Sequence, residues 1–267
     1  MRASCRASVE RRPFGSEMDK FNFTTWLASR GRRTPLPGMF VNAPFAPGET
    51  RRQRVIALFC GILSGVLFYF SIDLGSVWPL AWIAAVPVLW LAFRSSNNRL
   101  AFAMSWLAGS LGGLNFLPPS VGGLPLSIVF RSSSLLTLML GIVAQGLGLA
   151  ICVMGARLVL TRISAVAAAI AFAALWTAFD FAMAQGPHGT AFSPSYSQVG
   201  MPVLIQSASV FGLWIVTFLL GIFAAGIAAT LATGRLAPAI VAVILVLANL
   251  GYGGWRLERA QSFPLPQ

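Results

Sequence analysis

Between Val55 and Gly234 the chain carries only seven charged residues, five arginines and the two aspartates Asp73 and Asp180. Soluble domains hold roughly 25% charged residues. A stretch this long with so few cannot cover its surface with groups that water solvates, so it must face another medium. The apolar positions fall into seven runs, at about 55–73, 77–93, 100–117, 133–155, 163–183, 204–231 and 236–254. A membrane-spanning helix needs about 20 mostly apolar residues. The sequence therefore predicts an all-α, polytopic transmembrane bundle of about seven spans. The first two runs are short and joined by a tight link at Asp73–Ser76, which also fits a helical hairpin. Pro79 and Pro87 should bend the second run, a distortion that neighbouring helices accommodate.

The ends of the chain differ in kind. Of 19 Lys and Arg, 11 lie in residues 1–54, together with four of the seven acids. This segment has Pro, Gly, Ser and Arg without apolar periodicity, and is read as a disordered basic tail. Its charge touches anionic lipid on the cytoplasmic side; a nucleic-acid partner is not expected. Residues 55–256 form the membrane domain and 257–267 a short outward-facing stub. Arg94 and Arg99, Arg157 and Arg162, and Arg235 mark alternate links between runs, while 118–132 and 184–203 hold one arginine, Arg131. Because Lys and Arg favour cytoplasmic loops, the expected topology is N-terminus inside and C-terminus outside. Gly61 with Gly65, and Gly109 with Gly113, are GxxxG pairs of the kind that let membrane helices approach closely.

Reactive groups are scarce. The only histidine is His188 and the only lysine is Lys20. Cys5, Cys60 and Cys152 have no metal-ligand or disulfide spacing. No phosphate-binding glycine loop and no nucleophile elbow occurs, and one histidine without clustered carboxylates gives no catalytic zinc. No catalytic residue, metal or cofactor is assigned. A Ser-His-Asp set from Ser193 or Ser197, His188 and Asp180 has no support from spacing. Asp180 lies near the outer end of the fifth run, one turn after Trp176, where an ionisable group marks a functional position by default. The longest polar stretch after the tail is QGPHGTAFSPSYSQVGMP at 185–202. Its Pro and Gly break helix, and its His, Tyr, Ser and Gln supply hydrogen-bonding groups. A lipid headgroup cleft built from His188, Tyr196 and Gln198, with Asp180 and Gln206 behind them, is the expected binding site. Gln145 and Asn115 are too few to line a transport path.

Several of these features together resemble one family. The run VWPLAWIAAVPVL at 77–89, GGLP at 122–125, Trp176 with Asp180, and Tyr196-Ser197-Gln198 followed by Pro202, Ile205-Gln206, Gly212 and Phe218 resemble the membrane domain of apolipoprotein N-acyltransferases. Order and spacing agree across 52–256. The resemblance implies a bacterial inner-membrane protein, with phospholipid as acyl donor and a lipoprotein amine as acceptor. It also implies a nitrilase-like domain that supplies a Cys nucleophile, a Glu base and a Lys. None of these maps onto this sequence: Lys20 is in the tail, and Cys60 and Cys152 lie in apolar runs. The arginine that the family carries three residues after its Glu falls at Met183. The family's Gly-Phe-Pro-Trp is replaced by Gly186-Pro187-His188-Gly189. The expectation is a lipid-binding membrane half that works with a separate nitrilase-like partner or is truncated from one. The rival expectations are a non-catalytic scaffold or remnant and, further off, a small transporter.

Overall fold

The computed structural model describes residues 51–71, 77–116, 120–121, 124–125, 135–186, 189–190 and 193–261. The basic segment 1–50, the Asp73–Ser76 link and His188 lie outside them. In chain order the helices are α1 (Arg51–Ser71), α2 (Leu80–Ile83), α3 (Val86–Arg94), α4 (Asn98–Gly113), α5 (Leu135–Arg162), α6 (Ala165–Ala184), α7 (Pro202–Ile205), α8 (Ala208–Phe211), α9 (Trp214–Thr233) and α10 (Ala237–Gln261). A 3₁₀ turn, Leu114–Phe116, extends α4, and another, Pro194–Gln198, precedes α7. The one sheet among the described residues is a two-residue antiparallel ladder, Ser120–Val121 with Leu124–Pro125.

Five helices are long and apolar enough to cross a membrane: Arg51–Ser71, Met139–Arg162, Ala165–Ala184, Trp214–Thr233 and Ala237–Arg259. The remaining expected spans differ for identifiable reasons. The second run is cut into α2 and α3 around Ala84–Ala85, and Pro87 stands in the first turn of α3. The third run yields α4, which at 1.5 Å per residue is about 24 Å long before its 3₁₀ extension. The sixth run does not form one helix from 204. It folds as α7 and α8, turns at Gly212 with φ 71°, and only then runs on as α9. A positive φ of this size is open to glycine at little cost.

The packing is inverted relative to a water-soluble bundle. Small residues fill the interior: Ala84, Ala85, Ala108, Ala168, Ala224 and Ala225 are fully buried. Large apolar side chains point outward, among them Phe59, Phe70, Leu140, Ile151, Phe181 and Leu247. Lipid tails are as apolar as these side chains, so burying them gains nothing. Close contact between backbones holds the helices instead. Both GxxxG pairs lie at such contacts. Gly61 and Gly65 face Met104 and Ala108 of α4, while Gly109 and Gly113 face Gly146 and Ile142 of α5. Around the rest of the bundle Gly148 meets Phe179, Gly221 meets Ala173, and Gly226 meets Pro238.

The tightest approach brings α7 against α10. A Cβ on Gly253 would overlap the carbonyl of Val203, and Asn249 Nδ2 donates to the Leu204 carbonyl at 3.0 Å. Gly253→Ala must push backbone rather than a flexible side chain. It should cost about 2 kcal/mol and lower the midpoint of thermal unfolding in detergent. Gly254→Ala, one position along with open space around it, should leave the midpoint unchanged.

Helix ends buried by this packing are satisfied by side chains from elsewhere. The Val88 N–H, in the first turn of α3, donates to Ser64 Oγ of α1 at 3.1 Å. Arg157, expected in a link, instead lies within α5. Its guanidinium donates to Asn98 Oδ1 at 2.9 Å and to the carbonyl of Ala92 in the last turn of α3, where helical carbonyls have no partner of their own. Asn97 caps α4 by accepting from the N–H groups of Arg99 and Leu100, and Ser164 caps α6 by accepting from Ala167. Arg94, Arg157, Arg162 and Arg235 thus gather at one end of the bundle, and the polar segment 193–211 occupies the other.

Candidate functional site

At that second end the turn Pro194–Gln198 is pinned from two sides. On one side stands Asp180, in the last turns of α6 and only 7% exposed. Its Oδ2 accepts from Ser193 Oγ and from Thr217 Oγ1, both at 2.7 Å. Ser193 Oγ is also 2.8 Å from Ser195 Oγ and accepts from the Ser195 N–H. Ser193 therefore caps the turn while anchored to the carboxylate, and Thr217 ties the same carboxylate to α9. This buried oxygen makes one polar joint of three segments. Isolated, it would be costly in an apolar setting; here its lone pairs are used.

On the other side stands Gln198, which is fully buried. Its Oε1 accepts from Trp82 Nε1 at 3.0 Å, and its Nε2 donates to the Trp78 carbonyl at 3.1 Å and to Ser197 Oγ at 2.8 Å. Ser197 Oγ in turn donates to the Pro194 carbonyl at 2.6 Å. An amide has two donor hydrogens and one carbonyl oxygen, and all three are engaged. Gln198 thus fastens the turn to the start of α2, whose Trp82 ring stacks edge-on against Phe223 of α9 at 5.2 Å.

Between the two anchors sits Tyr196, half-buried, with its hydroxyl 2.8 Å from Thr190 Oγ1. Of the five residues expected at the site, Asp180, Tyr196 and Gln198 meet on this one turn. Gln206 is half-buried at the end of α7, and its Nε2 donates to the Pro202 carbonyl at 3.0 Å, so its bond is local. His188 lies outside the described residues. The Ser193 hydroxyl donates straight to Asp180, and Ser197 donates to a backbone carbonyl. A relay with an imidazole between hydroxyl and carboxylate does not fit those bonds.

The structure adds Thr217, Trp78 and Trp82 to the site and gives Ser193 its place there through Asp180. Their types alone carried no signal, since each acts through a partner distant in the chain. Trp176, one turn before Asp180, is buried, with its ring edge-on to Phe68 at 5.8 Å and tilted against Phe172 at 5.5 Å. Phe68, Trp176 and Phe179 line a gap with Gln145 that holds only about 10 Å³ of free space, room for about one water molecule. This gap does not form a transport path. Cys60 and Cys152 are buried free thiols, and no cluster of three metal-ligating side chains exists among the described residues.

With this geometry in view, the chain can be compared with known proteins. A family model described as the apolipoprotein N-acyltransferase N-terminal domain covers residues 64–226, more than half of the chain and the whole of the pinned turn. No curated protein matches the chain.

Proposed function

The chain belongs to the apolipoprotein N-acyltransferase N-terminal domain family, and from that premise we propose that it is the lipid-binding membrane part of a phospholipid-to-lipoprotein N-acyltransferase. It is a multi-pass membrane protein by its apolar helices and its family. In the proposed arrangement it sits in a bacterial inner membrane with about seven crossings, N-terminus inside. The arginine-bearing links face the cytoplasm and the turn Pro194–Gln198 faces out. A nitrilase-like partner supplies the chemistry. Its thiolate attacks the acyl ester of a phospholipid, forming a thioester and releasing the lysophospholipid alkoxide, which takes up a proton. The lipoprotein amine then attacks the thioester, loses a proton and regenerates the thiol, so that one hard step becomes two easier ones.

This chain's contribution is position. Asp180 and Gln198 spend their hydrogen bonds inside the protein and act as positioning residues, holding the turn. Tyr196, His188 and Gln206 are the proposed headgroup contacts, and the fixed turn gives the ester a defined place beside the thiolate. The observation that carries the reading is the family match over 64–226, a span that includes the doubly anchored turn.

The test is complementation. The chain is expressed in a bacterium depleted of its own apolipoprotein N-acyltransferase, with and without a separate nitrilase-like domain. Lipoprotein N-acylation is read by mass spectrometry. The expected result is acylation only when both are present. Acylation by the chain alone would overturn the need for a partner. No acylation in either arm, with insertion verified, would favour a non-catalytic membrane scaffold.

A further inference from the structure

Two side chains that the pinned turn does not use meet elsewhere in the bundle. Trp176 stands one turn before Asp180 on α6, and Gln145 is the single amide side chain of α5. Both line the gap where α1, α4, α5 and α6 converge. Phe68, Leu149 and Phe179 give that gap apolar walls, and Gly109 and Gly112 complete it. The two glycines have no side chain, so α4 presents only bare backbone there. A helical carbonyl keeps a second lone pair after its own helix bond is made.

Neither polar side chain is satisfied by the protein. Trp176 is 4% exposed, and its ring contacts are with Phe68 and Phe172. Its Nε1–H finds no acceptor among the described residues, unlike that of Trp82, which Gln198 accepts at 3.0 Å. The half-buried Gln145 amide makes no hydrogen bond among the described residues either. Each unpaired group is costly in an apolar setting, and lipid offers no partner. The helices have no room to close the gap. A Cβ on Gly112 would lie 2.6 Å from Phe68 Cβ, and one on Gly109 would lie 2.8 Å from the Cα of Gly146. α4 therefore already touches α1 on one side and α5 on the other.

We infer that one ordered water molecule is a built-in part of the bundle and bridges Trp176 to Gln145. The free space of about 10 Å³ matches a single water and excludes a lipid headgroup or an acyl chain. Cavities of this size stay dry when their walls are apolar and fill when two to four polar partners are present. Here the indole N–H donates to the water oxygen, and the water donates to the Gln145 amide oxygen. Its second hydrogen is left for a carbonyl of the bare α4 backbone. The water ties α6 to α5, which share no direct polar bond at this level. The site depends on the packing of four helices and not on acyl transfer, so it stands or falls apart from the proposed reaction.

The direct test is a crystal structure of the full chain grown in a lipid mesophase, at a resolution that shows ordered water. One isolated peak within about 3 Å of both Trp176 Nε1 and the Gln145 amide is expected. An empty gap would overturn the inference, and so would density that continues outward as a lipid or detergent tail. A second test reads the indole in solution. The N–H-sensitive Raman mode of Trp176, taken as the difference between the parent chain and Trp176→Phe, should have the frequency of a hydrogen-bonded indole. Gln145→Leu removes one partner and fills the gap, and should shift the mode to that of a free indole. A free indole in the parent chain would overturn the bridge; an unshifted mode in Gln145→Leu would overturn Gln145 as its other end. Should Gln145→Leu fail to fold, the parent chain's mode and the crystal structure still decide.

Discussion

Replacing Asp180 by alanine is expected to cost about 3 kcal/mol of bundle stability, because two buried hydroxyls lose their acceptor at once. Ser193 and Thr217 both donate to the same Oδ2, and Thr217 is fully buried, so its hydroxyl has no water to turn to. The loss also frees the cap of the turn from α9. Asp180→Asn is the discriminating control. Its amide oxygen can accept the same two bonds, so it should stay within about 1 kcal/mol of the parent chain if hydrogen bonding alone holds the joint. Thermal unfolding in detergent measures both. Equal loss in the two variants would mean that something other than these two bonds makes the residue necessary.

The second large effect is expected at Gln198. Gln198→Leu keeps the volume but removes three hydrogen bonds, leaving the Trp82 indole N–H without a partner and the Trp78 carbonyl with only the Ala81 N–H at 3.3 Å. Polar contacts between membrane helices are each worth roughly 0.6–2 kcal/mol, so the summed loss is about 3 kcal/mol. The effect should also be local in a way that Asp180→Ala is not. The emission of Trp82, isolated by replacing the other tryptophans with phenylalanine, should change in Gln198→Leu as the indole loses its acceptor. An unchanged spectrum together with unchanged stability would show that the turn does not depend on this clamp. Asp180→Ala with Gln198→Leu should exceed neither single effect by much if either anchor alone is needed to seat the turn, and a double-mutant cycle reads that coupling.

How far the sequence discloses this arrangement depends on the length scale of each interaction. Apolar runs located the five long helices, because hydrophobic length is a property of the segment itself, but not all their ends: the helix expected from 204 starts at Trp214. The breaks were harder. Pro79 and Pro87 announced a bend, but Gly212 did not announce that the sixth run would divide into α7, α8 and α9. Nothing local separates a glycine that turns the chain from one that packs it, such as Gly253. The two GxxxG pairs were legible as contacts, though not their partners. Arg157 was misplaced by charge logic: an arginine near a run's end reads as a link residue, and only the fold supplies the Ala92 carbonyl that draws it into α5. At the site, Asp180 and the segment 185–202 stood out because polar groups are rare in such a chain. Their roles did not, since hydrogen-bond partners 37 or 116 residues away leave no trace in spacing. Gln198 was read as a ligand contact, and its bonds to Trp78 and Trp82 as a fastener of the turn were not legible.

The segment from Leu80 to Arg94 has a consequence for how the protein is made. Its carbonyl end is closed by Arg157, 65 residues later, and its opening turn by Gln198, more than 100 residues later. A ribosome therefore delivers α2 and α3 to the membrane well before either fastener exists. Broken at Ala84–Ala85, this segment has its end groups satisfied only when α5 and then the turn arrive. The order of synthesis thus sets the order of assembly: α2 and α3 are made early and fastened only after α5 and then the turn have followed.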